Sequence, residues 1–295
     1  MSKPTVLSFG EVLWDLFPDS RVIGGAPFNF AAHLSKLGAE VAFVSAVGQD
    51  DLGDAAAEQV RAMGMTDVYT ARLGDHVTGF CKVTLENGTP SYDLKRDVAY
   101  DHIPFPAELP KSVDALYCGT LASRMEASFA TLKRLLAEVE AKEVFFDVNI
   151  RGKDWSAELL RTVLPYTTVL KFSREESAVL AEALSITGED LCVAMCRALA
   201  AEYPKLKQIL VTLDKDGSFV YLTGEDRILY SPKPGSKAIS TVGAGDSFSA
   251  CYVYNLLVGA DTETCLARAT ALSDYVVTQL GAVPEYPAEL LPRIK

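Results

Sequence analysis

No run of apolar residues in this sequence is long enough to span a bilayer, and the opening MSKPTVLSFGEV carries no apolar signal core. A cytoplasmic enzyme is therefore expected, with no membrane partner. Basic charge is also in short supply: 28 Lys and Arg stand against 39 Asp and Glu, a formal net charge of −11. Phosphate backbones attract basic faces, so nucleic acid is not the expected partner. A small anionic ligand needs only a local positive field and stays open. The six cysteines (Cys81, Cys118, Cys192, Cys196, Cys251 and Cys265) contain no CxxC pair. They read as small buried apolar residues in a reducing compartment, with Cys192 and Cys196 on one face of a helix, and not as a disulfide or metal framework. Two nucleotide patterns are missing as well. The lack of G-x-x-x-x-G-K-[ST] argues against a P-loop, and the lack of G-x-G-x-x-G after the first strand argues against a Rossmann dehydrogenase. No repeat, low-complexity stretch or linker divides the 295 residues.

What is present is a chain 49% hydrophobic and 23% charged, ample for a large core. Short β-rich runs alternate with helical patterns. TVLSFG is followed by the helix PFNFAAHLSKLG, ended by Gly38; EVAFVSAVG is followed by DLGDAAAEQVRAMG, ended by Gly64. ALYCGT, EVFFDVN, TTVLKFS and QILVTLD continue the strands, with helices through ASFATLKRLLAEVEAK and EDLCVAMCRALAAEY. Such alternation predicts an α/β fold with right-handed crossovers and a mainly parallel sheet. The stretch from Asp75 to Tyr100 breaks the pattern. It has a turn signal at Asn87-Gly88 and polar–apolar alternation, which predicts antiparallel strands with one solvated face. VLWDLFPDSRVI adds a strand. The expectation is one domain over residues 1–295, with a small β-sheet lid from segments about 12–23 and 75–100 that could cover a ligand.

The segment TVGAGD, Thr241 to Asp246, runs directly into the apolar helix SFSACYVYNLLVG. A turn of Gly243, Ala244 and Gly245 lets backbone N–H groups approach a ligand closely, and at a helix N-terminus those donors and the dipole favour an anion. Asp246 lies in the same first turn. A carboxylate beside an anion hole suits a reaction in which a hydroxyl loses a proton while attacking a phosphoryl group. From the residues alone, Asp246 reads equally well as a helix cap.

TVGAGDSF resembles a signature of the ribokinase-like (pfkB-type) carbohydrate kinases, and GGAPFNFAAHLSKLG resembles that family's sugar-side signature. The resemblance runs almost end to end, through GEVLWDLFP, DVNIR with Trp155 soon after, VTLDKDGS and GAVPEYP in the expected order. The chain is most similar to the fructokinases within the family. The resemblance implies a ribokinase-like α/β fold, doubly wound with helices on both faces of the sheet, and a β-sheet lid. It also implies ATP-dependent phosphorylation of a sugar hydroxyl with Mg2+, fructose being the leading acceptor. Asp246 would be the base, with Gly243, Ala244 and Gly245 the anion hole. Asp15, Gly24, Gly25, Asn29 and the lid residue Arg96 would bind sugar. Asn149, Arg151, Lys171, Thr212, Lys215 and Gly217 would face the nucleotide, and Glu176 would hold magnesium through water. Phe28 and Phe30, flanking Asn29, read either as core or as walls of the sugar pocket. A homodimer through the lid is in keeping with the family.

Three positions depart from the family pattern. Ser240 stands where an Asp of a monovalent-cation loop is usual, which leaves potassium activation open. Ser173 replaces an Asn three residues before Glu176. Asp214 replaces a Gly and adds negative charge near the triphosphate. Two other readings stay open: a kinase for ribose, a keto-deoxy sugar acid or a nucleoside, and a non-catalytic sugar or nucleotide sensor of the same fold.

Overall fold

The computed structural model describes residues 2–86, 89–232 and 235–295. In chain order, β1 (Thr5–Phe9), β2 (Leu13–Leu16) and β3 (Arg21–Gly24) lead to α1 (Ala26–Leu37) and β4 (Glu40–Gly48). Next come α2 (Asp51–Ala62), β5 (Thr70–Leu73), β6 (Phe80–Glu86), β7 (Thr89–Leu94) and β8 (Ser112–Gly119). The middle of the chain forms α3 (Glu126–Glu138), β9 (Glu140–Asp147), α4 (Ala157–Val163), β10 (Val169–Ser173), α5 (Arg174–Leu184) and α6 (Leu191–Glu202). It closes with β11 (Gln208–Thr212), β12 (Ser218–Leu222), β13 (Arg227–Ser231), α7 (Ala244–Leu257), α8 (Thr262–Val276) and the one-turn α9 (Leu291–Ile294).

The main sheet has nine strands in the order β13-β12-β11-β10-β9-β8-β1-β4-β5. From β11 to β5 every pairing is parallel, and β12 and β13 add an antiparallel edge. Its strands are buried on both faces. In β11, Ile209 and Val211 point into the core under α3 to α6, while Leu210 points into the core under α1, α2, α7 and α8. This period-2 division is what a two-sided sheet demands of a continuous apolar run. The order reverses between β1 and β8, so the carboxyl ends of those strands open a crevice of the kind in which α/β folds bind ligands.

The second sheet, β3-β2-β6-β7, is separate and small. It combines the two segments expected for a lid, with one correction. The N-terminal segment supplies two strands rather than one, and β2 pairs with β6 in parallel, with only the β2–β3 and β6–β7 pairs antiparallel. The turn expected at Asn87-Gly88 lies outside the described residues. Another correction concerns the end of α3: the apparent helical continuation through VEAK gives way to β9 at Glu140. Its β-strand pairing with β8 starts at Ser112↔Glu140 and overrides the local pattern. Phe28 and Phe30 are core. Phe28 meets Phe43 edge-on, and Phe30 stacks at 4.0 Å on Tyr117 and 5.8 Å from Phe145. The six cysteines are buried and free. No helix among the described residues is long and apolar enough to cross a membrane.

Candidate active site

Two helix N-termini meet below the crevice. Gly25 and Gly243 stand at the N-cap positions of α1 and α7, and neither helix has a side-chain cap at its own N-terminus. Both glycines are sterically required. Gly25 has φ 111°, and a Cβ there would lie 2.5 Å from the Glu11 carbonyl oxygen; Gly243 has φ 78°, and a Cβ there would lie 2.5 Å from the Ala282 carbonyl oxygen. Only a residue without a side chain fits such backbone contact in the left-handed region. Gly25 therefore serves helix entry against Glu11. Gly24, whose added Cβ would sit 3.5 Å from Asp15 Oδ2, has room to spare.

Asp246, in the first turn of α7, does not cap its helix. Its Oδ2 instead accepts a 2.7 Å hydrogen bond from Asn29 Nδ2, which joins α7 to the first turn of α1. Asn29 is 5% exposed, and its Oδ1 is buried without a partner. Burial raises the Asp246 carboxyl above its ordinary value, opposed by the Asn29 bond and by the charges of Lys171 and Arg151. The Ala244 amide, expected as part of an anion hole, donates 3.3 Å back to the Thr241 carbonyl. The amides of Gly245 and Asp246 have no acceptor among the described residues, as is usual for the first turn of a helix without a cap.

Lys171 lies directly behind that turn. Its Nζ donates 2.9 and 3.0 Å to the two oxygens of Asp147 and would be 3.4 Å from a Cβ on Gly245. It is therefore a buried cation that adds to the positive potential of the α7 N-terminus, while the adjoining cleft is lined by other residues. Asp147, at the end of β9, is pushed up to about 6 by burial, with Lys171 pulling the other way. Ser249 and the stacked Tyr117 complete this buried layer; the Tyr117 hydroxyl feels the charges of Asp147, Asp246 and Glu11.

On the α1 side, Asp15 of β2 is half-buried, and burial raises its carboxyl with Arg151 opposing. The Arg151 charge acts on Asp15, Glu11 and Asp246 alike, so it is near these three acids and not only near the region assigned to phosphate from sequence. Arg96 lies two residues beyond β7 rather than on a lid strand, and it pairs with Asp154. Asp154 also accepts 3.0 Å from the buried Arg124, which in turn grips Asp101 at 2.7 and 2.9 Å. Asn149 has φ 41° and shapes the turn before Arg151, where its carbonyl accepts from Thr120. Glu176 is engaged by main chain: its oxygens accept 2.6 Å bonds from the Ile150 and Ser173 amides, and Ser173 returns a cap to Glu176. Ser173 at the family's Asn position thus completes a capping box.

A cleft of about 250 Å³ adjoins the α7 turn. Thr212, Asp214 and Gly217 line it together with Thr241, Ala244 and Gly245. Lys215 is exposed and does not line it. Asp214 has φ 54°, a left-handed conformation natural to Gly and tolerated by Asp. Ser240 brings no charge to its loop; its hydroxyl accepts from the Val242 amide at 3.2 Å.

Glu11, Asp147, Tyr117 and Arg124 were not singled out by the sequence reading. Glu11 and Asp147 carried a signal all the same, an acid at the mouth of an apolar strand in GEVLWD and EVFFDVN. Glu11 is 2% exposed, and its Oε1 accepts 3.2 Å from the Ala26 amide, capping α1 from outside the helix. Burial pushes its carboxyl from 4.5 to about 7, opposed by the hydrogen bonds and Arg151 and aided by Asp246. The folded state therefore holds this proton more tightly than the unfolded chain. The resulting stability is complete below pH 4.5 and is lost as pH rises through about 7. Such a displacement corresponds to about 3 kcal/mol. Glu11→Gln keeps an acceptor for Ala26 and removes the titration. Urea unfolding from pH 4 to 8 should show a steeper decline in the parent than in the variant, which keeps the contribution of the other raised carboxyls such as Asp147; parallel profiles would contradict the assignment.

A family model for "pfkB family carbohydrate kinase" matches residues 8–289. An ATP-dependent 6-phosphofructokinase of Thermoanaerobacterium thermosaccharolyticum is 24% identical over 97% of this chain and 91% of its own. A probable fructokinase-5 of Arabidopsis thaliana is 25% identical over 97% and 95%. A 5-dehydro-2-deoxygluconokinase of Halalkalibacterium halodurans is 27% identical over 91% and 83%. Among solved structures, the fructokinase of Vibrio cholerae O395 with fructose, ADP and calcium superposes with a TM-score of 0.82 at 23% identity, covering 99% of both chains. With its ribokinase-like fold, its two converging helix N-termini and a family match that runs almost the full length, the chain belongs to the pfkB family of carbohydrate kinases.

Proposed function

We propose that this sugar kinase transfers the γ-phosphoryl group of ATP to a hydroxyl of a free sugar, with fructose as the acceptor. The observation that carries the reading is Asp246: a desolvated carboxylate fixed by Asn29, in the same helical turn as two backbone amides without acceptors and beside the Thr212–Gly217 cleft. The acceptor sugar lies between β2 and the first turn of α1. Asp15 accepts from its hydroxyls, and the unpartnered Asn29 Oδ1 takes another. The reacting hydroxyl gives its proton to Asp246 as its oxygen attacks. The Gly245 and Asp246 amides, backed by the Lys171 charge, hold the oxygens of the transferring group. Such donors contribute roughly 3 kcal/mol each by analogy with oxyanion holes. Carboxylates Glu175, Asp214 and Asp274 line the nucleotide cleft without forming one cluster, so a magnesium ion there would keep most of its hydration shell and be held through water. Glu176, with lone pairs left beyond its two main-chain bonds, would hold that ion through water, and the ion would neutralise phosphate charge. The lid closes over the sugar and excludes water that would otherwise accept the phosphoryl group.

Fructose is chosen because GEVLWDLFP, GGAP and DVNIR resemble motifs often carried by fructokinases. Relatives named for other acceptors are as similar, so the decisive experiment is coupled ADP release over a panel of fructose, fructose 6-phosphate, ribose, a keto-deoxy sugar acid and a nucleoside. Fructose is expected to give the highest kcat/KM, with little ADP release when no acceptor is present. A higher kcat/KM for another member reassigns the acceptor. No acceptor-dependent ADP with any of them favours the sensor reading.

A further inference from the structure

The chain has three histidines. His33 is fully buried between α1 and the C-terminal segment. The other two meet at the base of the lid, where the chain entering β6 runs beside the chain leaving β7. These legs are joined by main chain: the Ala99 amide donates to the Val77 carbonyl at 2.8 Å, and the Lys95 amide to the Phe80 carbonyl at 3.0 Å. Just outside that ladder, the rings of His76 and His102 stack with centroids 3.7 Å apart at 28°. Asp97 stands against both. Its Oδ1 is 2.7 Å from His102 Nε2 and 3.8 Å from His76 Nε2. One ligand atom from each of the three residues lies within 4.8 Å of the others.

Several features distinguish this cluster from a solvated patch. His76 bonds through Nδ1 to Asp75 Oδ1 at 2.9 Å, which fixes the tautomer whose Nε2 lone pair faces Asp97. A carboxylate on the far ring nitrogen is the usual outer partner of a metal-binding imidazole. The imidazoles are 20% and 26% exposed and so sheltered, while the Asp97 carboxylate is 71% exposed and forms the open side through which an ion would enter. Two imidazoles and a carboxylate suit first-row transition ions, whereas magnesium and calcium prefer all-oxygen sets. A tetrahedral Zn2+ with ligands at about 2.0–2.2 Å sets its donors roughly 3.4 Å apart and lies in the plane of each imidazole, so the stacked rings must turn out of their stack to converge on it, His76 Nε2 closing on Asp97 and His102 Nε2 drawing back, with a fourth position left for water.

We infer that His76, Asp97 and His102 form a binding site for a divalent first-row transition ion such as Zn2+, which ties the chain entering the lid to the chain leaving it. His102 binds through Nε2 as the tautomer protonated on Nδ1, the proton it now shares with Asp97 passing to solvent, and Asp75 acts as a positioning residue through His76. None of the three ligands is among the residues assigned to phosphoryl transfer.

The test is calorimetric titration of the full-length protein with Zn2+, in the presence of millimolar Mg2+ and without nucleotide. Expected is one high-affinity ion per chain, with affinity reduced at least about 100-fold in His76→Asn and in His102→Asn, and about 10- to 100-fold in Asp75→Asn. Sugar-dependent ADP release by these variants without added zinc should match the parent, which certifies their folding. The visible spectrum of the Co2+-loaded parent should be that of a four-coordinate ion. No saturable Zn2+ binding, an affinity unchanged in both histidine variants, or a spectrum like that of hydrated Co2+ overturns the proposal.

Discussion

Asp246→Asn is expected to lower kcat by at least about 100-fold, the low end for loss of a general base, with the fold and the sugar KM little changed. The asparagine is nearly isosteric, and its carbonyl oxygen still accepts from Asn29 Nδ2, the 2.7 Å bond that ties α7 to α1. Ground-state contacts therefore survive, and only the proton acceptor disappears, which is the signature of an interaction needed in the transition state. The pH dependence supplies a second readout. Burial raises the Asp246 carboxyl above its ordinary value, so in the parent kcat/KM should fall as the solution is acidified and the base takes up a proton. That acid limb should be absent from the residual activity of the variant. Steady-state kinetics from pH 5 to 9 on both proteins checks the claim. An unchanged kcat would remove Asp246 from the reaction.

Lys171→Met is expected to destabilise the fold by about 3–5 kcal/mol, the cost of leaving one member of a buried ion pair alone. Side-chain exposure is 8% for Lys171 and 1% for Asp147, so solvent cannot take the place of the lost partner. Asp147 also feels the negative charges of Glu176 and Asp246. Removing the ammonium leaves these acids facing one another around a methionine. Relief comes through protonation of Asp147, already pushed up to about 6 by burial. A raised carboxyl contributes stability at low pH that is lost as pH rises through its folded value. The deficit of Lys171→Met should therefore be larger at pH 8 than at pH 5. Urea denaturation of the single variant and of Lys171→Met with Asp147→Leu decides the matter, because replacing both partners should recover most of the loss. A deficit below about 1 kcal/mol, the range of exposed pairs, would mean that the pair is not buried in solution.

Several parts of the site were legible because their signals are local. A Gly-rich turn opening an apolar helix announces free amides, and TVGAGD carries that whole pattern in six residues. The helix ends at Gly38 and Gly64 were legible for the same reason: both glycines have positive φ, at 107° and 77°. The roles of Ala244, Arg96 and Arg151 were less legible. Whether an amide is free depends on a carbonyl such as that of Thr241, and whether a guanidinium meets Asp154 or a bound ligand depends on how loops approach one another. Glu11 was passed over because an acid next to a strand is usually solvated; only the α1 turn packed over it makes it a cap with a carboxyl near 7.

By itself, the sequence determined the alternation of strands and helices, the two lid segments and the two glycine-led helix starts, all properties of residues close together along the chain. Tertiary structure alone decided what those starts face. Asn29 and Asp246 lie 217 positions apart and are joined by one 2.7 Å bond, and Lys171 reaches Asp147 from a neighbouring strand. Burial set the rest, because the proton affinity of a carboxylate depends on the water and charge removed from around it, and those come from distant segments. The parallel pairing of β2 with β6, between residues some 66 positions apart such as Trp14 and Phe80, is of the same kind: its hydrogen bonds leave no periodicity in either strand to announce them.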